Sequence, residues 1–228
     1  IYHTITNLNT SMTTNSLRIA PANTADFRLL AKKRLPLQLF DYIDGGSYQE
    51  TTLASNLNAF SQLTLRQRIL KDVSHIDLSG KLFNETLNMP LILGPVGLAG
   101  CYAKRGELQT LKAANKHNIP FCLSTVGICS IEELHAQTNQ TFWFQLYVIK
   151  DRSYALSLLK RAEQAGCQTL VLTVDLPVLA ERYRDIRNGL SSSEDSGSLL
   201  GKLKRGLDIV SHPNWVWDVA ITGKPLTF

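Results

Sequence analysis

The chain has 228 residues, is 44% hydrophobic and 19% charged, and carries 24 Lys/Arg against 19 Asp/Glu for a net charge of +5 and a pI near 9.0. That balance is ordinary for a folded globular protein and excludes the low-hydrophobicity composition of disordered chains. The excess cations do not form a basic stripe interleaved with aromatics, and "GKLKRG" at 201–206 gathers only three, so a nucleic-acid partner is not expected.

The first 23 residues, opening at Ile1 with Met12 as the first methionine, are rich in Thr and Asn. They lack the charged and apolar regions of a signal peptide and read as a disordered lead. No apolar run approaches the roughly 20 residues of a membrane-spanning helix. From residue 24, "TADFRLLAKKRLPLQLFDYIDGG" has helical spacing broken at Pro36 and stopped at Gly45-Gly46, which predicts two short helices joined at the proline. "FSQLTLRQRILKDV" reads as irregular chain or a short strand.

A rhythm then begins. "MPLILGPVG" (89–97) predicts a first strand, "GELQTLKAANKHN" a helix, and "PFCLSTVG" (120–127) a second strand. "SIEELHAQT" reads as a short helix with a Ser130/Glu133 capping box. "TFWFQLYV" predicts a third strand, "DRSYALSLLKRAEQAG" a helix capped by Asp151 and ended by Gly166, and "QTLVLTVDLP" a fourth strand. Strand and helix alternate with a period of roughly 25 to 30 residues, the pattern of βαβ units and a parallel sheet. With no G-x-G-x-x-G or P-loop turn, a (β/α)8 (TIM) barrel fits better than a Rossmann fold, with about its first four β/α units present.

Polar residues gather at the strand ends: Ser124 and Thr125 on the second strand, Gln145 and Tyr147 on the third, Thr173 and Asp175 on the fourth. Gln145 and Tyr147 are two apart on a strand and share a face with Trp143, while Phe144, Leu146 and Val148 take the other. A barrel places functional groups at such C-terminal strand ends, so the polar face is expected to meet a ligand and the apolar face the helices. Gly94, Pro95 and Gly97 end the first strand, where backbone can approach a ligand closely. The four cysteines, Cys101, Cys122, Cys129 and Cys167, show no metal spacing; Cys122 and Cys167 read as small core hydrophobes of a reducing compartment, and no metal site is expected.

The runs "LPLQLFDYIDGGSYQETTLASNLNAF", "LRQRILKDVS", "MPLILGPVGLAG", "RGELQTLKAANKHNIPFCLST", "WFQLYVIKDR" and "LTVDLPVLAERYRD", in this order, resemble the FMN-dependent α-hydroxy acid dehydrogenase/oxidase family, and within it the respiratory branch acting on L-lactate. The resemblance covers about residues 24 to 222. It implies FMN as cofactor, with the backbone at Pro95, Val96 and Gly97 against the ring and Ser124, Gln145 and Thr173 on its polar edge. It implies that Tyr147 hydrogen-bonds the reacting hydroxyl, that Tyr42 and Arg182 hold the substrate carboxylate, and that Arg184 is structural.

The implied reaction is oxidation of a small L-2-hydroxy acid, L-lactate to pyruvate, with electrons passing to a quinone or cytochrome. Other FMN barrels acting on related hydroxy acids are the neighbouring alternative, and a catalytically inactive truncated product is another. The family's catalytic histidine lies in a His-Gly-Gly-Arg motif, and none of the five histidines here is followed by Gly-Gly-Arg. The chain therefore reads as an N-terminal half that by itself is expected to be inactive, since losing a general base alone costs typically about 10²–10⁴-fold.

The expected organisation is the lead (1–23), the first part of the barrel (24–187) and a mobile inserted loop segment (188–228). Within that segment Leu199, Leu200, Leu203 and Leu207 fall near helical spacing beside Lys202, Lys204 and Arg205, which allows peripheral membrane contact. The implied location is the cytoplasmic side of the inner membrane, and the implied full-length state a homo-oligomer.

Overall fold

A computed structural model of the protein describes residues 20–83, 85–138, 140–176, 178, 180–190, 199–223 and 225. Most of the expected lead lies outside these residues. The first helix, α1 (Thr24–Arg34), is capped by Asn23, whose side chain accepts the Asp26 amide. Pro36 is the N-cap of α2 (Leu37–Asp44), so the expected break at the proline is present; the proline leaves the preceding Leu35 extended. A third helix, α3 (Thr51–Ser61), was not signalled by the sequence patterns, and residues 63–79 are irregular.

A short antiparallel hairpin, β1 (Gly80–Leu82) and β2 (Glu85–Leu87), precedes the sheet. Next come α4 (Ala99–Tyr102), α5 (Gly106–His117), β3 (Cys122–Leu123), α6 (Ile131–Thr138), β4 (Trp143–Tyr147), α7 (Arg152–Gln164) and β5 (Leu170–Thr173). The three strands β3, β4 and β5 lie parallel in chain order, with Leu123 opposite Phe144, and Gln145 and Tyr147 opposite Val171 and Thr173. This is the expected parallel α/β arrangement, but among the described residues it is an open sheet and not a closed barrel.

The expected first strand over 89–97 is reduced to a single parallel bridge between Leu93 and Phe121, held by the Leu93 amide on the Pro120 carbonyl and the Cys122 amide on the Leu93 carbonyl. Pro95 has no N–H for the next rung, and on the other side Pro120 has none to give the Leu91 carbonyl while the Leu91 amide turns to the Met89 carbonyl, so the ladder stops in both directions.

The core lies on the helix-facing side of the sheet. Leu123, Phe144 and Leu146 pack with Leu111 and Ala114 of α5, Leu134 of α6, and Leu158 and Ala162 of α7, all nearly excluded from solvent. In α7 the buried positions 155, 158 and 162, followed by the C-cap Ala165, recur at helical spacing. Asp151 caps it through the Ser153 and Tyr154 amides, and Gly166 ends it at φ +79. The cysteines are free, and burial pushes the Cys122 thiol up to about 12, which suits a packing role and not a nucleophile.

The C-terminal part corrects the expectation of a loop. Beyond 191–198, which lie outside the described residues, α9 (Leu199–Val210), α10 (Pro213–Trp215) and a π-helix (Val216–Ile221) follow the short α8 (Tyr183–Arg187). This region is tied to the body by fully buried Val219, by Trp215 Nε1 donating to the Cys101 carbonyl at 2.8 Å, and by an Arg34–Asp218 ion pair at 2.7 Å. Burial of Val219 and the bond from Trp215 fasten the end of this segment, while α9 itself buries no residue.

Candidate flavin and hydroxy acid site

The side of β4 away from the core carries the polar groups. Gln145 is 2% exposed, and each of its polar side-chain atoms has a partner. Its Oε1 accepts from Ser124 Oγ at 3.3 Å and from the Thr125 amide at 3.1 Å, and its Nε2 donates to Thr173 Oγ1 at 2.7 Å. Thr125 Oγ1 in turn donates to the Gln145 carbonyl and accepts from the Tyr147 amide at 3.3 Å. Ser124, Gln145 and Thr173 thus form one hydrogen-bonded ladder across the C-terminal ends of three adjacent strands. Tyr147 stands one position further along the same face of β4, half-buried.

The loop after Leu93 lies beside this ladder. The Leu98 amide donates to the Val126 carbonyl at 2.9 Å, and a Cβ on Gly97 would sit 2.9 Å from Val126 Cγ2, closer than side-chain carbons tolerate. Pro95 and Val96 are exposed, so this stretch stands open to solvent beside the turn that follows Ser124. Glu107 fastens the two loops together. Buried at 1% exposure, it accepts the Gly100 amide at 3.1 Å and the Ile128 amide at 2.8 Å on one oxygen.

Tyr42 and Arg182, 140 residues apart, are brought into contact. The Arg182 guanidinium lies 4.9 Å from the Tyr42 ring centroid and donates to the backbone carbonyls of Tyr42 and Gly45 at the end of α2. Arg182 Nε also donates to Asp185 Oδ2 at 2.7 Å. Arg184 reaches the same end of α2 but is engaged by carboxylates, Asp44 at 2.8 Å and Glu50 at 2.6 Å.

The sequence reading did not single out Glu107, Tyr102 or Asp185. Only Asp185 left a local signal, sitting three positions after Arg182 at the start of a helix. Two grooves lie away from these residues: one of about 320 Å³ near Phe83, Glu85 and Gln168–Leu170, and one of about 690 Å³ bordered by Gly46, Tyr48, Leu53, Asn56 and Tyr183.

A buried ladder of hydroxyls and an amide at parallel-strand ends, flanked by an exposed backbone loop, suits the alternating carbonyl and N–H edge of a planar ring cofactor, and Tyr42 with Arg182 suits a small carboxylate. Residues 31–226 match the FMN-dependent dehydrogenase family, and the chain belongs to it. Among curated relatives, it is 50% identical over 200 residues to an L-lactate dehydrogenase of Acinetobacter baylyi (strain ATCC 33305 / BD413 / ADP1), covering 88% of this chain and 50% of that protein. The same identity holds to an L-lactate dehydrogenase of Acinetobacter baumannii (strain AYE), over 88% of this chain and 51% of the relative.

Among solved structures, the monotopic membrane protein (S)-mandelate dehydrogenase superposes with a TM-score of 0.78 at 38% identity, over 87% of this chain and 52% of that one. A soluble mutant of the membrane-associated (S)-mandelate dehydrogenase from Pseudomonas putida gives 0.70 at 41% identity, over 73% and 48%. The chain spans about half the length of the curated relatives it matches.

Proposed function

We propose that this chain forms the N-terminal half of an FMN-dependent dehydrogenase that oxidises L-lactate, or a close L-2-hydroxy acid, to the 2-oxo acid. The Ser124–Gln145–Thr173 ladder is the observation that carries the reading. These three side chains hold the polar edge of the flavin, and the backbone at Pro95, Val96 and Gly97 lies along its ring. FMN, when bound, supplies the hydride acceptor. Tyr147 orients the substrate hydroxyl from the end of β4; Tyr42 and Arg182 hold its carboxylate, Arg182 through a charge-assisted grip. The 50% identity to L-lactate dehydrogenases favours lactate over larger hydroxy acids.

The general base and the groups that hold the FMN phosphate belong, on this reading, to the half of the relatives that this chain does not span. The 228-residue chain alone is then expected neither to retain stoichiometric flavin nor to reduce a dye with L-lactate, whereas the full-length enzyme does both and assembles as a homo-oligomer. Absorbance near 450 nm on the purified chain, followed by a lactate-dependent dye assay, checks this. A yellow, lactate-reducible 228-residue chain would overturn the division of labour.

Delivery of electrons to a respiratory quinone or cytochrome fits the surface of α9. Asp208 holds this helix to the body by accepting the Leu37 amide at 2.8 Å. Leu199, Leu200, Leu203, Leu207 and Val210 fall on one stripe of the helix and are 86%, 62%, 60%, 61% and 73% exposed, the reverse of an ordinary amphipathic helix packed apolar face inward. With Lys202 and Lys204 nearby, that stripe suits the surface of an anionic bilayer, and no helix among the described residues is long and apolar enough to cross one. This supports a peripheral position at a membrane surface, and the cytoplasmic face of the inner membrane is the side that the family resemblance implies. The chain is expected to float with anionic liposomes and a variant lacking 199–210 to stay at the bottom of the gradient; equal flotation would remove α9 as the anchor.

A further inference from the structure

Among the side-chain oxygens buried without a hydrogen-bond partner in the described residues are Tyr102 Oη and Asp185 Oδ1, the second on the carboxylate that pairs with Arg182. Asp185 is 3% exposed and commits its other oxygen, Oδ2, to Arg182 Nε. Tyr102 ends α4, a four-residue helix that begins directly after the Pro95–Gly97 loop. The backbone enters α4 through Leu98 at φ 56 and leaves toward α5 through Arg105 at φ 49, two left-handed non-glycine residues within eight positions. From the other side Trp215 holds the Cys101 carbonyl. The backbone on both sides of Tyr102 is thus held, and Tyr102 lies close enough to Tyr42, Arg182 and Asp185 for them to act on its phenol, a neutral donor at ordinary pH whose pKa burial pushes further up.

Buried polar atoms are nearly always paired, through water where they do not touch directly. A neutral phenol offers one proton, and Asp185 Oδ1 offers lone pairs but no proton. One water that accepts from Tyr102 and donates to Asp185 satisfies both.

We propose that Tyr102 is a positioning residue that reaches Asp185 through one bridging water and so locks the Asp185–Arg182 pair, holding the Arg182 guanidinium against Tyr42 where the substrate carboxylate is bound. The last clause rests on the function proposed above; the network itself does not. Arg182 has donors directed to the end of α2 and to Asp185. With Asp185 free to turn, the guanidinium could slide along those carbonyls and lose its place beside the Tyr42 ring.

The test is solvent exchange of the Arg182 Nε–H, read by nitrogen-15 NMR on the whole chain, with the resonance assigned by its disappearance in Arg182→Lys. Tyr102→Phe, which deletes only Oη, is expected to speed that exchange at least about fivefold, while Tyr154→Phe, at an exposed tyrosine, leaves it unchanged. Equal exchange in Tyr102→Phe and the parent overturns the proposal. Should Tyr102→Phe fail to fold, a high-resolution crystal structure of the parent decides: a water within hydrogen-bonding distance of both Tyr102 Oη and Asp185 Oδ1 supports it, and any other arrangement overturns it.

In the full-length flavoenzyme, Tyr102→Phe is expected to raise the hydroxy acid KM about 5- to 10-fold with kcat within about twofold, a split that loss of fold would not give. An Arg182→Lys enzyme with unchanged KM would instead refute the substrate role of Arg182. The exchange result would still stand as a statement about the network.

Discussion

Replacing Gln145 by leucine is expected to cost the chain about 2–4 kcal/mol of folding stability and to deprive the full-length flavoenzyme of most of its FMN affinity. Leucine fills nearly the same volume, so the cavity contribution is small. The loss comes from the partners. Ser124 Oγ, the Thr125 amide and Thr173 Oγ1 all pair with the Gln145 side chain, and each buried group left unpaired costs about 1–3 kcal/mol. Some of that returns when Ser124 and Thr173 find water at the open end of the sheet, which sets the upper limit. Denaturant unfolding of the chain measures the stability term, and flavin titration of the full-length variant measures the affinity. A change under about 1 kcal/mol would mean that the ladder is held by its strands and not by the amide at its centre.

The same residue shows what was legible in the sequence. Gln145 and Tyr147 two apart in an apolar run gave their shared face at once, because strand periodicity is a local property. Alternation of strands and helices likewise gave the parallel order, and Pro36 and Asp151 marked helix starts through chemistry contained within four residues. What failed was long-range. The Ser130/Glu133 capping box forms only in part: Ser130 Oγ accepts the Glu133 amide at 3.1 Å, but the Glu133 carboxylate is drawn to Arg105, 28 residues earlier. The first strand shrank to a bridge because two prolines removed donors that its apolar pattern concealed.

Residues 199–221 read as a loop since the Ser/Gly-rich stretch before them dominates the composition. Their end is fastened by Trp215 and Val219 meeting a helix more than a hundred positions away. Glu107 and Tyr102 were invisible for the same reason, and Asp185 showed only its spacing from Arg182. A buried carboxylate looks like a surface one until its partners are placed around it.

The exposed flank of the sheet extends this point to the missing surface. Phe144 and Leu146 are 2% and 6% exposed under the helices, yet their register partners on β5, Leu170 and Leu172, are 48% and 51% exposed on the same face. An apolar layer that stops at half coverage, on a strand with one edge unpaired among the described residues, has the shape of a sheet that continues. It agrees with a chain spanning about half of its relatives.

Arg184→Met should be the most damaging single charge change outside the proposed site, lowering stability by about 2–3 kcal/mol at pH 7. Arg184 joins α8 to the end of α2 by pairing with Asp44 and Glu50, and its Cδ lies 3.2 Å from where a Cβ on Gly45 would be. Hydrogen bonds from Arg28 and then Arg184 hold the Asp44 carboxyl below its usual range, against the opposing cost of burial. The Gly46 amide and then Arg184 do the same for Glu50. Methionine keeps much of the aliphatic packing and removes the cation, which leaves two carboxylates close together with Arg28 as the remaining partner of Asp44.

The sign with pH follows. Carboxyls depressed in the folded state stabilise it above their unfolded pKa of about 4, and that contribution is lost as pH falls through the folded values. The gap between parent and variant should therefore be widest near neutral pH and shrink below about pH 4, as protonation removes both the attraction in the parent and the repulsion in the variant. Since the guanidinium is about one-third accessible, salt screening trims the effect without abolishing it. Denaturant midpoints at pH 7 and pH 3.5 measure it directly, and a gap that stays constant or grows on acidification would show that packing, not charge, is what Arg184 contributes.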